Sequence, residues 1–176
     1  MRCLSLIVLS FLLLGCDGNT PMMEASQRGE IENITTFLDA GVDVNDTNNY
    51  GWTALMHAAR AGQNDTIKFL LEKGADIDAK DTAGWTALIR AAQKGHSSTV
   101  RLLLEKGADI NAQTAKGWTA VMWTVLQEEM EALRTLLEYK PNLDLKSNDG
   151  RTAFMISVTE NNNDILTVLQ EAGARP

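Results

Sequence analysis

The chain has 176 residues and a net charge of −7, about one domain's length. With no run of Lys or Arg to break the acidic balance, non-specific nucleic-acid binding is excluded, since that needs a basic stripe. Cys3 and Cys16 both lie in the first sixteen residues and only His57 and His96 add to them, so the rest of the chain has no disulfide framework, no thiolate zinc site and no His-rich metal site.

Residues 1–16 differ in character from the remainder of the chain. Arg2 supplies one positive charge, and residues 4–14 form an apolar run of eleven, broken only by Ser5 and Ser10. That run is too short to cross a bilayer core as a helix and has the length of a secretory h-region. It closes on Leu13-Leu14-Gly15-Cys16, which resembles the lipobox of bacterial lipoproteins. The resemblance implies cleavage after Gly15, a diacylglyceryl thioether on Cys16 and acylation of the new amino terminus. Several acyl chains anchor a protein stably where one is marginal. The other reading is an ordinary cleaved signal peptide with an incidental cysteine. Asp17 resembles the signal that retains lipoproteins in the inner membrane of enteric-type bacteria. The expected location is therefore the cell envelope, lipid-anchored to the inner membrane and facing the periplasm. The mature charge becomes about −8 by loss of Arg2.

From residue 18 the sequence repeats every 33 residues. GWTALIRAAQKGHSSTVRLLLEKGADINAQTAK at 84–116 superimposes on GWTALMHAARAGQNDTIKFLLEKGADIDAKDTA at 51–83 and on a segment beginning GWTAVMWTV at 117–149. A fixed period of this size marks a stacked-repeat array. The expected units are a signal peptide at 1–15, a lipidated end and short linker at 16–19, and repeats at 18–50, 51–83, 84–116, 117–149 and 150–176. The first and last serve as caps, and the last has no finger.

Each copy predicts the same elements in order. Thr20, Thr53, Thr86, Thr119 and Thr152 stand where a first helix begins and can cap it. Ala58-Ala59 and Ala91-Ala92 keep that helix thin, and Gly62 and Gly95 suit a tight turn. A second helix comes next, with apolar residues at i, i+3 and i+4: Ile67, Leu70, Leu71; Val100, Leu103, Leu104; Leu133, Leu136, Leu137. Gly74 and Gly107 fit the position after its end, and residues 76–83 and 109–116 turn out and back as fingers. The pattern Thr86-Ala87-Leu88, Ala91-Ala92, Gly95-His96, Val100, Leu103-Leu104, then Gly107 to Ala112 (GADINA) resembles the ankyrin repeat. The resemblance covers nearly all of the chain after Cys16. It implies an all-α solenoid of about five helix–turn–helix repeats with β-hairpin-like fingers.

Differences between copies locate candidate contacts. One first-helix column reads Glu24, His57, Arg90, Trp123, Ile156. It is large and chemically mixed, as a partner-binding surface is and a core column is not; the alternative is a set of merely solvated positions. Finger residues Tyr50, Lys80 and Lys116 join His57, Arg90 and Trp123 as the candidate contact set. A second column, Trp52, Trp85, Trp118 and then Arg151, sits in one repeated setting. That favours packing over the finger bases, with Arg151 covering Trp118, over a ligand-binding aromatic ladder. Copy four is irregular: Thr124-Val125 replaces the alanine pair, Glu128 the turn glycine and Lys140-Pro141 the loop Gly-Ala. Drift and a specialised site both fit. The finger residues Asp43, Asp76 and Asp109, with Asn45, Asp78, Asn111 and Asp144, are expected to bond nearby backbone.

These features imply a non-catalytic module that binds a protein through its concave helix face and fingers. A toxin-neutralising immunity protein of the periplasm, a scaffold or protector of an envelope enzyme (in oxidative defence, for example), and a purely structural envelope lipoprotein all fit. An enzyme is not expected. No mature cysteine remains, the two histidines occupy different repeat positions, and no GxSxG, HExxH or P-loop pattern occurs. No catalytic residue, metal, cofactor, small-molecule substrate or nucleic-acid partner is predicted.

Overall fold

The computed structural model describes residues 18–175. The expected cleavage after Gly15, lipidation on Cys16 and sorting role of Asp17 lie outside the described residues. Among those residues the chain forms five helix–turn–helix pairs and no strand: α1 (Pro21–Arg28) with α2 (Ile31–Asp39), α3 (Ala54–Ala61) with α4 (Asn64–Glu72), α5 (Ala87–Gln93) with α6 (Ser97–Glu105), α7 (Ala120–Leu126) with α8 (Met130–Glu138), and α9 (Ala153–Thr159) with α10 (Asn163–Glu171). Each first helix packs on its own second helix and on the first helix of the next copy. The molecule is thus an all-α stack, as expected.

The threonine column starts every first helix. Thr20, Thr53, Thr86, Thr119 and Thr152 are extended, and each Oγ1 accepts from the backbone N–H three residues on at 3.2–3.3 Å. Pro21 occupies the first turn of α1, where a missing N–H costs nothing. The second helices of copies one to four have no side-chain cap of this kind. Two of their leading residues reach backwards instead. Gln63 Nε2 donates to the Gln27 carbonyl at 3.3 Å, and His96 Nε2 donates to the Arg60 carbonyl at 3.0 Å. These are equivalent contacts 33 residues apart, and they staple each copy to the one before.

Alanine pairs make close stacking feasible: Ala58, Ala59, Ala91 and Ala92 are fully buried. On the second helices Ile67, Leu70, Val100, Leu103, Leu133 and Leu136 are also fully buried. The i+4 position is at the edge of the stripe, with Leu71 and Leu137 only half-buried. A shift of this kind is expected where a helix packs on one side only. In the fifth copy the stacking face is uncovered. Met155 and Val158 are 37% and 53% exposed, whereas Met122 and Val125, one repeat earlier, are 1% and 0%. The fifth copy's capping is therefore partial: Gln170 is polar and exposed, but α9 keeps the apolar residues of an interior repeat.

Each finger closes on a short tip, with backbone bonds Asn48 N to Trp52 O, Asp81 N to Trp85 O, Thr114 N to Trp118 O and Ser147 N to Arg151 O at 2.9–3.1 Å. One backbone bond joins each tip to the next: Thr82 N to Tyr50 O, Ala115 N to Ala83 O and Asn148 N to Lys116 O. The finger aspartates and asparagines divide into two roles. Asp43, Asp76 and Asp109 accept from backbone two residues on. Asn45, Asp78 and Asn111 accept from the backbone of the next finger. The expectation of purely local bonding holds for the first column, and the second ties copies together.

Candidate functional site

The two columns that vary or repeat on the finger side interlock. Trp52, Trp85, Trp118 and Arg151 come from the finger bases, and His57, Arg90 and Trp123 come from the first helices. Because the helix residue of one copy lies between the finger-base residues of its own and a neighbouring copy, the side chains alternate. His57 stacks on Trp52 with ring centroids 5.1 Å apart. The Arg90 guanidinium then lies 3.8 Å from the Trp52 centroid and 4.1 Å from that of Trp85. Trp123 comes next, 4.6 Å from Trp85 and 4.9 Å from Trp118. Arg151 ends the series 5.4 Å from the Trp118 ring, and Arg60 adds a second cation 5.5 Å from Trp52. Cation–π contacts of this kind contribute about 0.5–2 kcal/mol each, and tilted aromatic pairs about 0.5–1.5 kcal/mol beyond area burial.

An ion pair fixes the centre of the ladder. The Arg90 Nη2 donates to Asp81 Oδ2 at 2.5 Å, with the two side chains 12% and 2% exposed. Asp81 Oδ1 is already engaged, accepting from the backbone of Ala83 at 2.8 Å and Trp85 at 2.9 Å. The same tip position is Asn48, Thr114 and Ser147 in other copies, and each bonds the tip backbone in the same way. Asp81 is the charged member of that column and faces the arginine of the helix column. Burial pushes the Arg90 guanidinium down from its ordinary value, and the hydrogen bond to Asp81 opposes that. Arg90 Nε and Trp123 Nε1 are buried with no hydrogen-bond partner among the described residues; the indole faces around Arg90 compensate part of that loss electrostatically.

The expected contact column is therefore not a row of free side chains. His57 is 6% exposed, and Arg90 is held in the ion pair and between two rings. Trp123 is half-buried between Trp85 and Trp118 instead of standing exposed. Glu24 is exposed and pairs with Arg28 at 3.4 Å, and Ile156 is fully buried. Solvated helix positions, the alternative reading for His57 and Arg90, do not describe them either. The packing role expected of the tryptophan column is what the geometry has, including Arg151 over Trp118. The signal that points to Asp81 is relational: it stands out only when its column is set beside that of Arg90.

Two depressions flank the ladder and share Ala83 as a wall. One, of about 620 Å³, is lined by Trp85, Trp118, Trp123 and Leu126, with Lys116 and Arg151 among its polar residues. The other, of about 480 Å³, is lined by Tyr50, Trp52, His57, Arg60 and Arg90 among others. The candidate residues thus gather on one face, except Lys80, which is exposed and lines neither depression. Tyr50 is 54% exposed. No group of three or more His, Cys, Asp or Glu among the described residues is arranged to hold a metal ion, and no described helix is long and apolar enough to cross a membrane.

A family model described as ankyrin repeats (3 copies) matches residues 5–81, 51–114 and 107–176. No curated protein matches the chain.

Proposed function

The chain belongs to the ankyrin-repeat family, generally a family of protein–protein interaction modules, and we propose that it is a non-catalytic protein-binding module acting through its finger side. The observation that carries this reading is the aromatic and cationic ladder with its two adjoining depressions. Rigid aromatic groups beside concave space are the usual composition of binding hot spots, and Tyr50, Lys116 and Trp123 stand at their edges. The partner is held outside the cytoplasm by the reading of the amino terminus: cleavage after Gly15, lipidation of Cys16 and inner-membrane retention through Asp17. With only residues 16–19 as lipidated end and linker, the stack works close to the bilayer surface. Neutralising a periplasm-directed toxin and scaffolding or protecting an envelope enzyme are equal readings of that setting, with a purely structural envelope role as the third.

One experiment tests both halves. A photo-crosslinking amino acid is placed at Lys116 on the finger side, and at Lys68, an exposed residue of α4 on the second-helix side, in the full chain and in its Cys16→Ser variant. The expected result is a discrete crosslinked protein from Lys116 in membrane fractions, none from Lys68, and release of the Cys16→Ser chain from the membrane. The identity of the captured protein separates toxin from envelope enzyme. Equal profiles from the two positions contradict the finger-side site, and a membrane-bound Cys16→Ser chain contradicts the lipid anchor.

A further inference from the structure

The ladder face has a charge opposite to that of the molecule. The chain carries −7 overall, yet the two depressions hold cations in excess. In the larger one, Arg151 pairs with Asp149 at 2.6 Å, and Asp149 also accepts from Ser147 Oγ at 2.5 Å. These bonds hold the Asp149 carboxyl below its ordinary value, the Ser147 hydroxyl being the largest cause and Arg151 adding to it. That carboxylate and that guanidinium thus cancel locally, and exposed Lys116 remains without an ion pair among the described residues. In the smaller one Arg90 and Asp81 cancel, and exposed Arg60 remains, its cation set over Trp52. The strip is left with two cations and no unpaired carboxylate: Lys116 in the depression walled by Trp85, Trp118, Trp123 and Leu126, and Arg60 in the adjoining one.

We infer that this strip is the docking site for an extended, acidic polypeptide segment carrying one bulky apolar side chain, with that side chain seated among Trp85, Trp118, Trp123 and Leu126 and carboxylates on its two flanks meeting Lys116 and Arg60. The inference rests on the protein-binding reading and assigns its partner chemistry. A space of about 620 Å³ admits a side chain such as phenylalanine or leucine with neighbouring backbone, since whole ligand pockets run from roughly 300 to 1,000 Å³. Complementary charge raises the encounter rate and rejects partners of the wrong sign. The wall offers little to a purely acidic segment, and the cations offer little to a purely apolar one, so both features are required together. The finger tips add a positional argument. The carbonyls of Tyr50, Ala83 and Lys116 are already bonded to the next tip, so they are not open to a ligand's backbone.

The test uses the chain from residue 16 with Cys16→Ser, which carries no lipid, and three synthetic hexapeptides, read by tryptophan fluorescence and calorimetry. They are Glu-Asp-Phe-Ala-Asp-Glu, its charge-inverted form Lys-Lys-Phe-Ala-Lys-Lys, and Glu-Asp-Ala-Ala-Asp-Glu. The acidic peptide with the apolar centre should bind about tenfold or more tightly than either control. Its affinity should fall with added salt and fall about tenfold in Lys116→Glu, whose site is exposed and whose Tm should be unchanged. Equal affinities for the three peptides, or no binding by any, overturn the inference. If the Lys116 crosslink to a membrane protein persists while the acidic peptide fails, the acidic chemistry is wrong and the binding-module reading stands. If the crosslink is absent too, both fall.

Discussion

At the scale of single residues, Arg90 decides how the ladder is read. Its side chain spans two indole faces and one carboxylate, and the carboxylate is almost fully buried. Removing Arg90 strands the Asp81 charge, and breaking such a pair is far more costly than never having made it. We predict that Arg90→Ala lowers stability by about 3 kcal/mol in chemical denaturation. Asp81→Asn added to Arg90→Ala should regain most of that loss. Asn48 already bonds its own tip from the equivalent position, so an asparagine suffices there once the cation is gone. Single losses that simply add in the double variant would contradict the pairing. A lysine would not substitute well, because a compact ammonium cannot lie flat between two rings. Arg90 is legible in the sequence as unusual, but its role is not. Its own column holds none of its partners, which come from a finger base in each of two copies and from a tip residue nine positions earlier.

At the scale of elements, most of the architecture is legible because five aligned copies expose what a single copy hides. The threonine starts, the alanine pairs and the second-helix stripe all follow from positions that recur at 33-residue spacing. Asn161, at the position of the turn glycines Gly62 and Gly95, has φ 56°. What is not legible depends on the neighbours that happen to be present. Leu71 and Leu137 lie at the edge of the stripe, and Met155 and Val158 are exposed although their sequence positions match buried ones. Copy four carries a local conflict. Glu128 has φ 58° where Gly62 has 73° and Gly95 has 68°. A side chain in the left-handed region costs roughly 1–2 kcal/mol, partly offset because glycine loses more backbone freedom on folding. Glu128→Gly should therefore stabilise the chain by about 0.5–1 kcal/mol, seen as a rise in Tm of roughly 2 °C. An unchanged or lower Tm would mean that the glutamate side chain contributes contacts that outweigh the backbone strain.

At the scale of the whole molecule, the stack and the candidate site are one construction. The finger bases project a residue every 33 positions, the first helices project another, and stacking interleaves them into a series running from His57 to Arg151. No copy holds the ladder alone, so the site exists only in the assembled array, in keeping with the nearest-neighbour energetics of repeat proteins. The same interleaving gives an acidic chain one aromatic face with spare cations. Circular dichroism in the far ultraviolet reads that interleaving directly. Trp123 lies between Trp85 and Trp118 at 4.6 and 4.9 Å with interplanar angles of 36° and 42°. Close, skewed indoles couple their transitions into an exciton couplet, whereas Trp52 is kept from the other three by the intervening Arg90. The interlocked ladder predicts a couplet that collapses in Trp123→Phe and persists in Trp52→Phe, with both variants folded. A couplet unchanged in Trp123→Phe would contradict the ladder, and with it the groove that the ladder walls.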